Sequence, residues 1–547
     1  MSSDGGEPRT LIWDALDDTS ARGSLCTWED GRFVVTSWCG VLSRARRVAA
    51  RLRGFGVVPG TRVACVLTNS VHVVCGLLGV WLAGGVIASL PLPSRGADPR
   101  EYLRQLGTTV GSLASPLLLI EDRLRWLVPD AIADLVRSWE SLDGSGRIDV
   151  TPPDADDVAF IQFSSGSTDM PKGCMLTSRA ISRQLGVIHS MFDPDSGRQR
   201  MASWLPLSHD MGMFGCLLYP LVRDYDLVLS SPERFAMAPR TWFQDLVTFR
   251  STITVGTNTG LHLVARAHQH SPLVGKLALD TLVVGAERVD LGVLRRTQAT
   301  FAPNGLDMSA FMPAYGMAEA TLAVTAGHWS QPPKAVALDA VALADGELVD
   351  TAADDPRATT VVSAGRPLAG IGVATADPGR LSEIHVDSPC LAAGYFADPV
   401  RTRERFVDGG FRSGDLGFVR DDELYVVGRV DDLLSVGGRK VYARELEATV
   451  DLIEPVRHGR SVVLDLPAGA AGELVLLVEL KHDVDDYPAF AAEAARAIMA
   501  KAGVGLSRCL FLQRNTLPRT PSGKVQRFRS RILLLRDELA LTAAVDL

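Results

Sequence analysis

Phe163-Ser164-Ser165-Gly166-Ser167-Thr168-Asp169-Met170-Pro171-Lys172-Gly173 directly follows the apolar run Val158-Ala159-Phe160-Ile161-Gln162-Phe163. The run reads as a buried strand. The loop after it gathers hydroxyls, glycines and one lysine. Glycine lets backbone N–H groups approach an anion, hydroxyls add donors, and lysine adds a movable positive charge. The loop therefore suits a polyphosphate. Its spacing is not G-x-x-x-x-G-K-[ST], because Pro171 stands where the second glycine would be. Taken alone, such a loop is as readily an ordinary turn.

Working outward, short apolar runs recur at Arg62–Leu67, Leu117–Ile120, Leu227–Leu229 and Thr281–Val284, with apolar helical stretches between them. This alternation predicts an α/β architecture with substantially parallel sheets. Val71–Leu90 has about the length of a bilayer span. Gly84-Gly85 interrupts it, and Pro91 and Pro93 follow, so it reads as a buried helix, Val71–Ala83, and a buried strand, Val86–Leu90. Gln331–Pro356, richer in Pro, Ala and Asp, reads as an irregular surface excursion. A boundary falls near Arg429-Val430-Asp431-Asp432. The strand Glu423–Val427 precedes it. Leu433–Val436, a Gly437-Gly438 turn, a helix around Arg444–Ile453, a strand Leu474–Leu480 and a helix Ala489–Ala502 follow.

The 547 residues leave room for several domains, and 46% hydrophobic with 22% charged residues fits a globular chain. The net charge of -8 argues against nucleic-acid binding. The start has no basic region followed by an apolar one, so no secretory signal and no membrane span are expected, and the chain reads as cytoplasmic. Eight cysteines lack metal-ligand spacing and read as reduced and mostly buried. Arginine supplies 49 of the 56 basic residues, leaving seven lysines. Two of them, Lys172 and Lys524, lie in Gly-containing loops, which makes them poor candidates for surface decoration.

Five segments occur in a fixed order: Ser164–Gly173, Ala314-Tyr315-Gly316-Met317-Ala318-Glu319, Ser413-Gly414-Asp415-Leu416-Gly417, Gly428-Arg429-Val430-Asp431-Asp432 and Ser522-Gly523-Lys524. Together they resemble the adenylate-forming superfamily of acyl-CoA synthetases, peptide-synthetase adenylation domains and luciferases. Within it the chain is most similar to the fatty acyl-AMP ligases, through Trp204–Gly212, Gly285-Ala286-Glu287 and Tyr315–Leu322. The resemblance implies a large N-terminal domain of α/β subdomains with mixed sheets (residues 1–429). It also implies a small mobile α+β C-terminal domain (residues 430–547), hinged near Asp431.

The resemblance also implies roles. Ser164, Ser165, Gly166, Ser167, Thr168 and Lys172 would surround the β- and γ-phosphates of ATP. Glu319 would take Mg²⁺, a hard cation suited to carboxylate oxygen. Asp415 and Arg429 would hold the ribose. Tyr315 would stack on adenine, with Gly285, Ala286, Glu287, Ala314, Gly316 and Met317 around it. Lys524 would bridge the substrate carboxylate and the α-phosphate. His209 and Asp210 stand open between a pocket gate and a buried hydrogen-bonded pair. Met211, Met213 and Phe214 stand open between pocket lining and core, and Asn258 joins the acyl-pocket set.

Two departures matter. Asp169 occupies a usual glycine position; Asp tolerates left-handed backbone better than most residues. Ser435–Val441 resembles the Gly-Gly turn of CoA ligases, with Gly437 and Gly438 facing the thiol path. The implied activity is ATP-dependent activation of an apolar carboxylic acid, fatty or bulky, as acyl-AMP, with pyrophosphate released. Transfer to a phosphopantetheine thiol would follow. CoA, an acyl carrier protein and no acceptor remain open, as does a complete acyl-CoA synthetase. A non-catalytic nucleotide-binding docking module and a phosphotransferase are the rivals from other classes.

Overall fold

The computed structural model describes residues 11–547 except Thr19, 94–98, Ser145, 147–151, 165–171, Pro194, Ser196, Pro356, 431–432, 437–438, 467–472 and 520–524. Two sheets form the layers of the body. The first has six strands in the order Val136–Ser138, Leu118–Ile120, Arg62–Val66, Val86–Leu90, Val158–Ser164 and Lys172–Thr177. All pair in parallel except the last, where Val158–Ser164 turns back antiparallel on Lys172–Thr177. The second has nine strands. Its parallel centre runs Phe311–Gly316, Thr281–Val284, Ile253–Gly256, Arg200–Ser203, Asp226–Leu229 and Ser24–Glu29. This is the α/β class that the alternating pattern predicts.

The stretch resembling a membrane span is a helix, Val71–Leu82, and a strand, Val86–Leu90. Ser70 caps the helix by accepting the Val73 N–H at 3.3 Å, and Gly84, at φ +89°, ends it. The helix packs on Trp38–Gly54 at Gly79, where a Cβ would lie 2.6 Å from Val48 Cγ1. Among the described residues no helix is long and apolar enough to cross a membrane. Seven of the eight cysteines are buried and none of the eight forms a disulfide.

Buried Asn69 pins the two layers together. Its Nδ2 donates to the carbonyls of Leu205 (2.9 Å) and Ser230 (2.7 Å), and its Oδ1 accepts the Leu207 N–H at 3.1 Å. The pin sets the loop that leads from strand Arg200–Ser203 to His209.

A five-stranded antiparallel sheet follows, built on the long strand Gly410–Arg420, which pairs with both Ser382–Asp387 and Glu423–Arg429. The excursion expected over Gln331–Pro356 is in part regular. Strand Ala335–Asp339 pairs antiparallel with Ala358–Val362, and helix Ala340–Ala344 is capped by Asp339 through the Val341 and Ala342 N–H groups. The reason is burial: Leu338 and Leu343 pack with Phe418, Tyr425 and Val427.

From Leu433 onward the chain forms the hairpin Leu433–Val436/Arg439–Tyr442 and a four-stranded sheet, Val456–Leu466, Glu473–Leu480, Arg508–Leu512 and Leu541–Asp546. Helices Ala443–Val450, Tyr487–Ala502 and Arg527–Leu535 accompany it. This tail buries apolar clusters of its own, such as Leu446, Val463, Leu476 and Phe511. The expected hinge residue Asp431 and the Gly437-Gly438 turn lie outside the described residues.

Replacing Asn69 by Leu keeps the volume and orphans two carbonyls and one N–H in the interior. At roughly 1–3 kcal/mol per unsatisfied buried group, the loss should reach about 3 kcal/mol or more. The expected outcome is a clear fall in the thermal midpoint; an unchanged midpoint refutes the pin.

Candidate functional site

The strand Val158–Ser164 and its antiparallel partner Lys172–Thr177 deliver Lys172 to a cleft of about 2700 Å³ that body and tail line together. The segment after strand Ser382–Asp387 threads beside this hairpin. The Met175 N–H donates to Gly394 O at 2.9 Å and the Phe396 N–H to Gly173 O at 2.7 Å. Gly394 has φ +132°, and a Cβ there would sit 2.6 Å from Thr402 Cγ2. The same segment meets the turn at Glu319, since the Ala392 N–H donates to Glu319 O at 2.8 Å. Tyr395 is thereby aimed at the carboxylate, and its Oη donates to Glu319 Oε1 at 2.7 Å. Burial, with the Glu319 carboxylate next, raises the Tyr395 phenol, so it stays a donor.

Along the same cleft, strand Phe311–Gly316 ends in a tight turn. The Met317 N–H donates to Leu322 O at 2.8 Å, and a Cβ on Gly316 would lie 1.8 Å from that same oxygen. Only glycine fits there. Half-buried Tyr315 donates from Oη to Asp415 Oδ2 at 2.6 Å, and Asp415 Oδ1 lies 3.7 Å from Arg429 Nη1. Asp415 and Arg429 are themselves cross-strand partners, so sheet register fixes the pair. Burial, then the Asp415 carboxylate, pushes the Tyr315 phenol well up.

Positive charge concentrates on the cleft wall. Burial is the largest influence lowering the Lys172 ammonium; Arg401 lowers it further, Glu319 opposes, and Arg429 and Arg405 add to the depression. Arg401 and Arg405 lie one turn apart on helix Pro399–Arg405. Arg405 Nη1 stands 3.3 Å from Glu383 Oε1, and Arg412 holds the other oxygen at 2.8 Å. At Gly414, φ +73°, a Cβ would meet Arg405 Nη1 at 3.0 Å and Arg429 Nη2 at 3.3 Å, so two guanidiniums converge over one glycine. Arg401 Nη1 also lies 3.4 Å from Asp398 Oδ2, and the four cations Lys172, Arg401, Arg405 and Arg429 on the cleft lining suit a polyanion.

Next to it the wall becomes apolar. His209 Nδ1 lies 2.6 Å from Asp210 Oδ1, which accepts the Met211 N–H at 2.7 Å and so caps the π-helical segment Met211–Leu218. Beyond Met211 the lining is Ile188, Met191, Phe192, Met201, Val255 and Leu322. Met213 and Phe214 do not reach the cleft. Both are fully buried, and Phe214 packs edge-on against Phe160 at 5.4 Å, because the inner face of this segment fills the core. Gly285, Ala286, Glu287 and Asn258 do line the cleft. Glu287 accepts the Thr259 N–H at 2.7 Å, while Asn258 Nδ2 donates to Arg288 O and Asn258 Oδ1 accepts the Asp290 N–H at 3.2 Å. These two side chains brace the loop to the start of helix Asn258–His270.

The cleft therefore brings together Lys172, His209, Asp210, Met211, Asn258, Gly285, Ala286, Glu287, the run Ala314–Met317, Glu319, Asp415 and Arg429. Ser164 ends its strand opposite Lys172. Ser165, Gly166, Ser167, Thr168, Asp169 and Lys524 lie outside the described residues. Arg519 and Val525, on either side of the Lys524 segment, line the cleft. Sequence reasoning passed over Tyr395, Arg401 and Arg405. The i,i+4 spacing of the two arginines after Asp398-Pro399, a helix start, was a usable signal; Tyr395 left none. Among the described residues no group of three or more His, Cys, Asp or Glu could hold a metal by itself.

Residues 26–396 match the family described as AMP-binding enzyme. The chain is 29% identical to a 4-hydroxyphenylalkanoate adenylyltransferase of Mycobacterium marinum over 91% of this chain and 85% of that one. It is 28% identical to the long-chain-fatty-acid–AMP ligase FadD26 of Mycobacterium bovis over 90% of each. A solved structure from work on fatty acyl-adenylate ligases of E. coli and L. pneumophila superposes with a TM-score of 0.88 and 25% identity, covering 96% of this chain and 98% of that one.

Gly316→Ala forces a methyl into the Leu322 carbonyl. The expected cost is about 3 kcal/mol, the upper end for an overpacked site, read as a lowered thermal midpoint. Wild-type stability in this variant contradicts the geometry of the turn.

Proposed function

The chain belongs to the AMP-binding enzyme family, and from that premise we propose that it activates an apolar carboxylic acid with ATP. The product is an acyl-AMP, with pyrophosphate released. The observation that carries the reading is the cleft in which a cation-bearing wall, with the Lys172 ammonium lowered by burial and then by neighbouring arginines, adjoins an apolar branch. One half suits a triphosphate and the other suits the tail of an acid.

A carboxylate is a poor acyl donor, since hydroxide leaves badly. Its oxygen attacks the α-phosphorus, the bond to the β-phosphate oxygen breaks, and pyrophosphate departs. The protein's task is alignment and neutralisation of charge as it develops. Lys172, Arg401 and Arg405 neutralise the β- and γ-phosphates, with Ser164, Ser165, Gly166, Ser167 and Thr168 as donors beside them. Asp415, oriented by Tyr315, accepts from the ribose hydroxyls, and Arg429 holds Asp415 from the far side. The ring of Tyr315 lies against adenine, with Gly285, Ala286 and Met317 close by. Lys524, brought by the tail, bridges the acid carboxylate and the α-phosphate. Glu319, fixed by Tyr395, fits Mg²⁺, because this ion takes one or two carboxylates and completes its shell with phosphate and water. It would supply charge neutralisation on the phosphates.

The apolar branch at Met191, Phe192 and Leu322 favours a fatty or aryl-alkanoic acid. The relatives support this, being named for long-chain fatty acids and for 4-hydroxyphenylalkanoates. A phosphopantetheine thiol, on CoA or a carrier protein, is the proposed acceptor of the acyl group. The tail, residues 430–547, is proposed to turn about Asp431 and bring Gly437 and Gly438 to the thiol path.

Incubation with MgATP and a panel of fatty and hydroxyphenylalkanoic acids should give acyl-AMP, AMP and pyrophosphate by mass spectrometry. Release of ADP, or no pyrophosphate exchange with any acid, overturns the reading; acyl-CoA formed on adding CoA marks a complete CoA ligase. Lys524→Ala should lower acyl-AMP formation by about 10²–10³-fold, with ATP binding retained. Unchanged pyrophosphate release in that variant removes Lys524 from the mechanism.

A further inference from the structure

We propose that the stacked imidazoles of His262 and His458 are the positioning contact that seats the tail with the chain flanking Lys524 turned into the cleft. This rests on the reading of Lys524 given above. His262 belongs to the body, on helix Asn258–His270, and His458 to the tail, on strand Val456–Leu466. Their ring centroids are 4.5 Å apart and their planes differ by 28°. Both histidines line the same cleft as Arg519 and Val525. Body and tail also meet at Tyr442, which packs with Leu338, Phe418 and Tyr425, at Arg288 Nη1, 3.7 Å from Glu445 Oε1, and at Lys501 Nζ, which donates to Ala358 O at 2.6 Å. None of those contacts turns on an imidazole, the side chain that ordinarily titrates near neutrality.

The charges around the pair are one-sided. His262 faces His458, Arg296 of helix Leu291–Phe301, Arg266 of its own helix, and Lys481 after strand Glu473–Leu480. Lys481 also pairs with Glu454 at 2.5 Å. The nearest carboxylate sits behind His458: Asp451 Oδ2 lies 3.6 Å from His458 Nδ1. Asp451 accepts from Ser461 Oγ and the Gly459 N–H, both at 2.7 Å, and Glu447 lies close to it. After burial, His458 is the first neighbour that disfavours a proton on His262. Burial is the largest influence on His262; with the surrounding cations it takes the ring down to about 4.

The sign follows from linkage. In the undocked tail His262 is in water and returns to its ordinary range near 6.5. The docked state binds fewer protons, so docking is at full strength above about pH 6.5 and weakens as pH falls toward 4. From pH 8 to pH 5 the docking equilibrium should weaken about thirtyfold, given a docked value of about 4.

Acyl-AMP formation and small-angle scattering test the proposal on the full chain. The wild type should lose adenylation steeply from pH 8 to pH 5 and expand over the same range. His262→Gln, which cannot take up the proton, should flatten both profiles relative to wild type. His458→Lys, a permanent cation against His262, should cut adenylation at least tenfold at pH 8. It should leave the consumption of supplied acyl-AMP unchanged, because that step does not use Lys524. Profiles of His262→Gln that superpose on the wild type, or a compact His458→Lys at pH 8 with wild-type adenylation, overturn the proposal. A wild type that forms no adenylate with any acid overturns the proposed function instead. Scattering, which needs no substrate, then still decides the latch.

Discussion

Like charges held together in a partly buried wall are the condition on which the site depends. Burial first, and then Arg401, Arg429 and Arg405, depress the Lys172 ammonium against the pull of Glu319. Glu383 is shared by Arg405 and Arg412, and the Gly414 N–H donates to it as well, so it cannot neutralise the wall alone. A folded chain tolerates such repulsion only when the backbone leaves the cations little room to separate. A polyanion relieves it. The gathering of these cations, more than any single side chain, suits the cleft to a polyanion.

The backbone meets that condition with close approaches that only glycine permits. Gly316 lies against the Leu322 carbonyl, Gly394 against Thr402, and Gly414 beneath two guanidiniums. Gly316 ends its strand at a register shift, Gly394 lies in the loop after Ser382–Asp387, and Gly414 lies within the long strand Gly410–Arg420. The carboxylates are positioned by phenols: Tyr395 holds Glu319 and Tyr315 holds Asp415. A phenol raised by burial donates at any ordinary pH, so both carboxylates keep an oriented oxygen facing the cleft. The apolar branch is built differently, from the outward face of a segment whose inner face, Met213 and Phe214, is core.

Much of the fold was legible because its strands are short, apolar and punctuated. Val86–Leu90 and Thr281–Val284 fall where their runs of β-branched residues put them, and Gly84 ends the helix before the first of these. Local pattern failed where burial was decided at a distance. Leu338 and Leu343 lie in a stretch that looks irregular, yet they are covered by Phe418 and Tyr425 from two strands far along the chain. Tyr395 gave no signal for the same reason: its role comes from being threaded between the Lys172 hairpin and the Glu319 turn.

By itself the sequence determined the order of the loops, the residue types able to meet phosphate, ribose and metal, and the alternation that builds parallel sheets. These are local properties, set by spacing and chemistry over a few residues. Tertiary structure alone decided which cations share a wall, which methionines and phenylalanines face core or cleft, and which face of the tail meets the body. Those outcomes depend on strand register and on side-chain burial between segments 100 or more positions apart, such as Asn69 with Leu205 and Tyr315 with Asp415, and no local pattern carries that information.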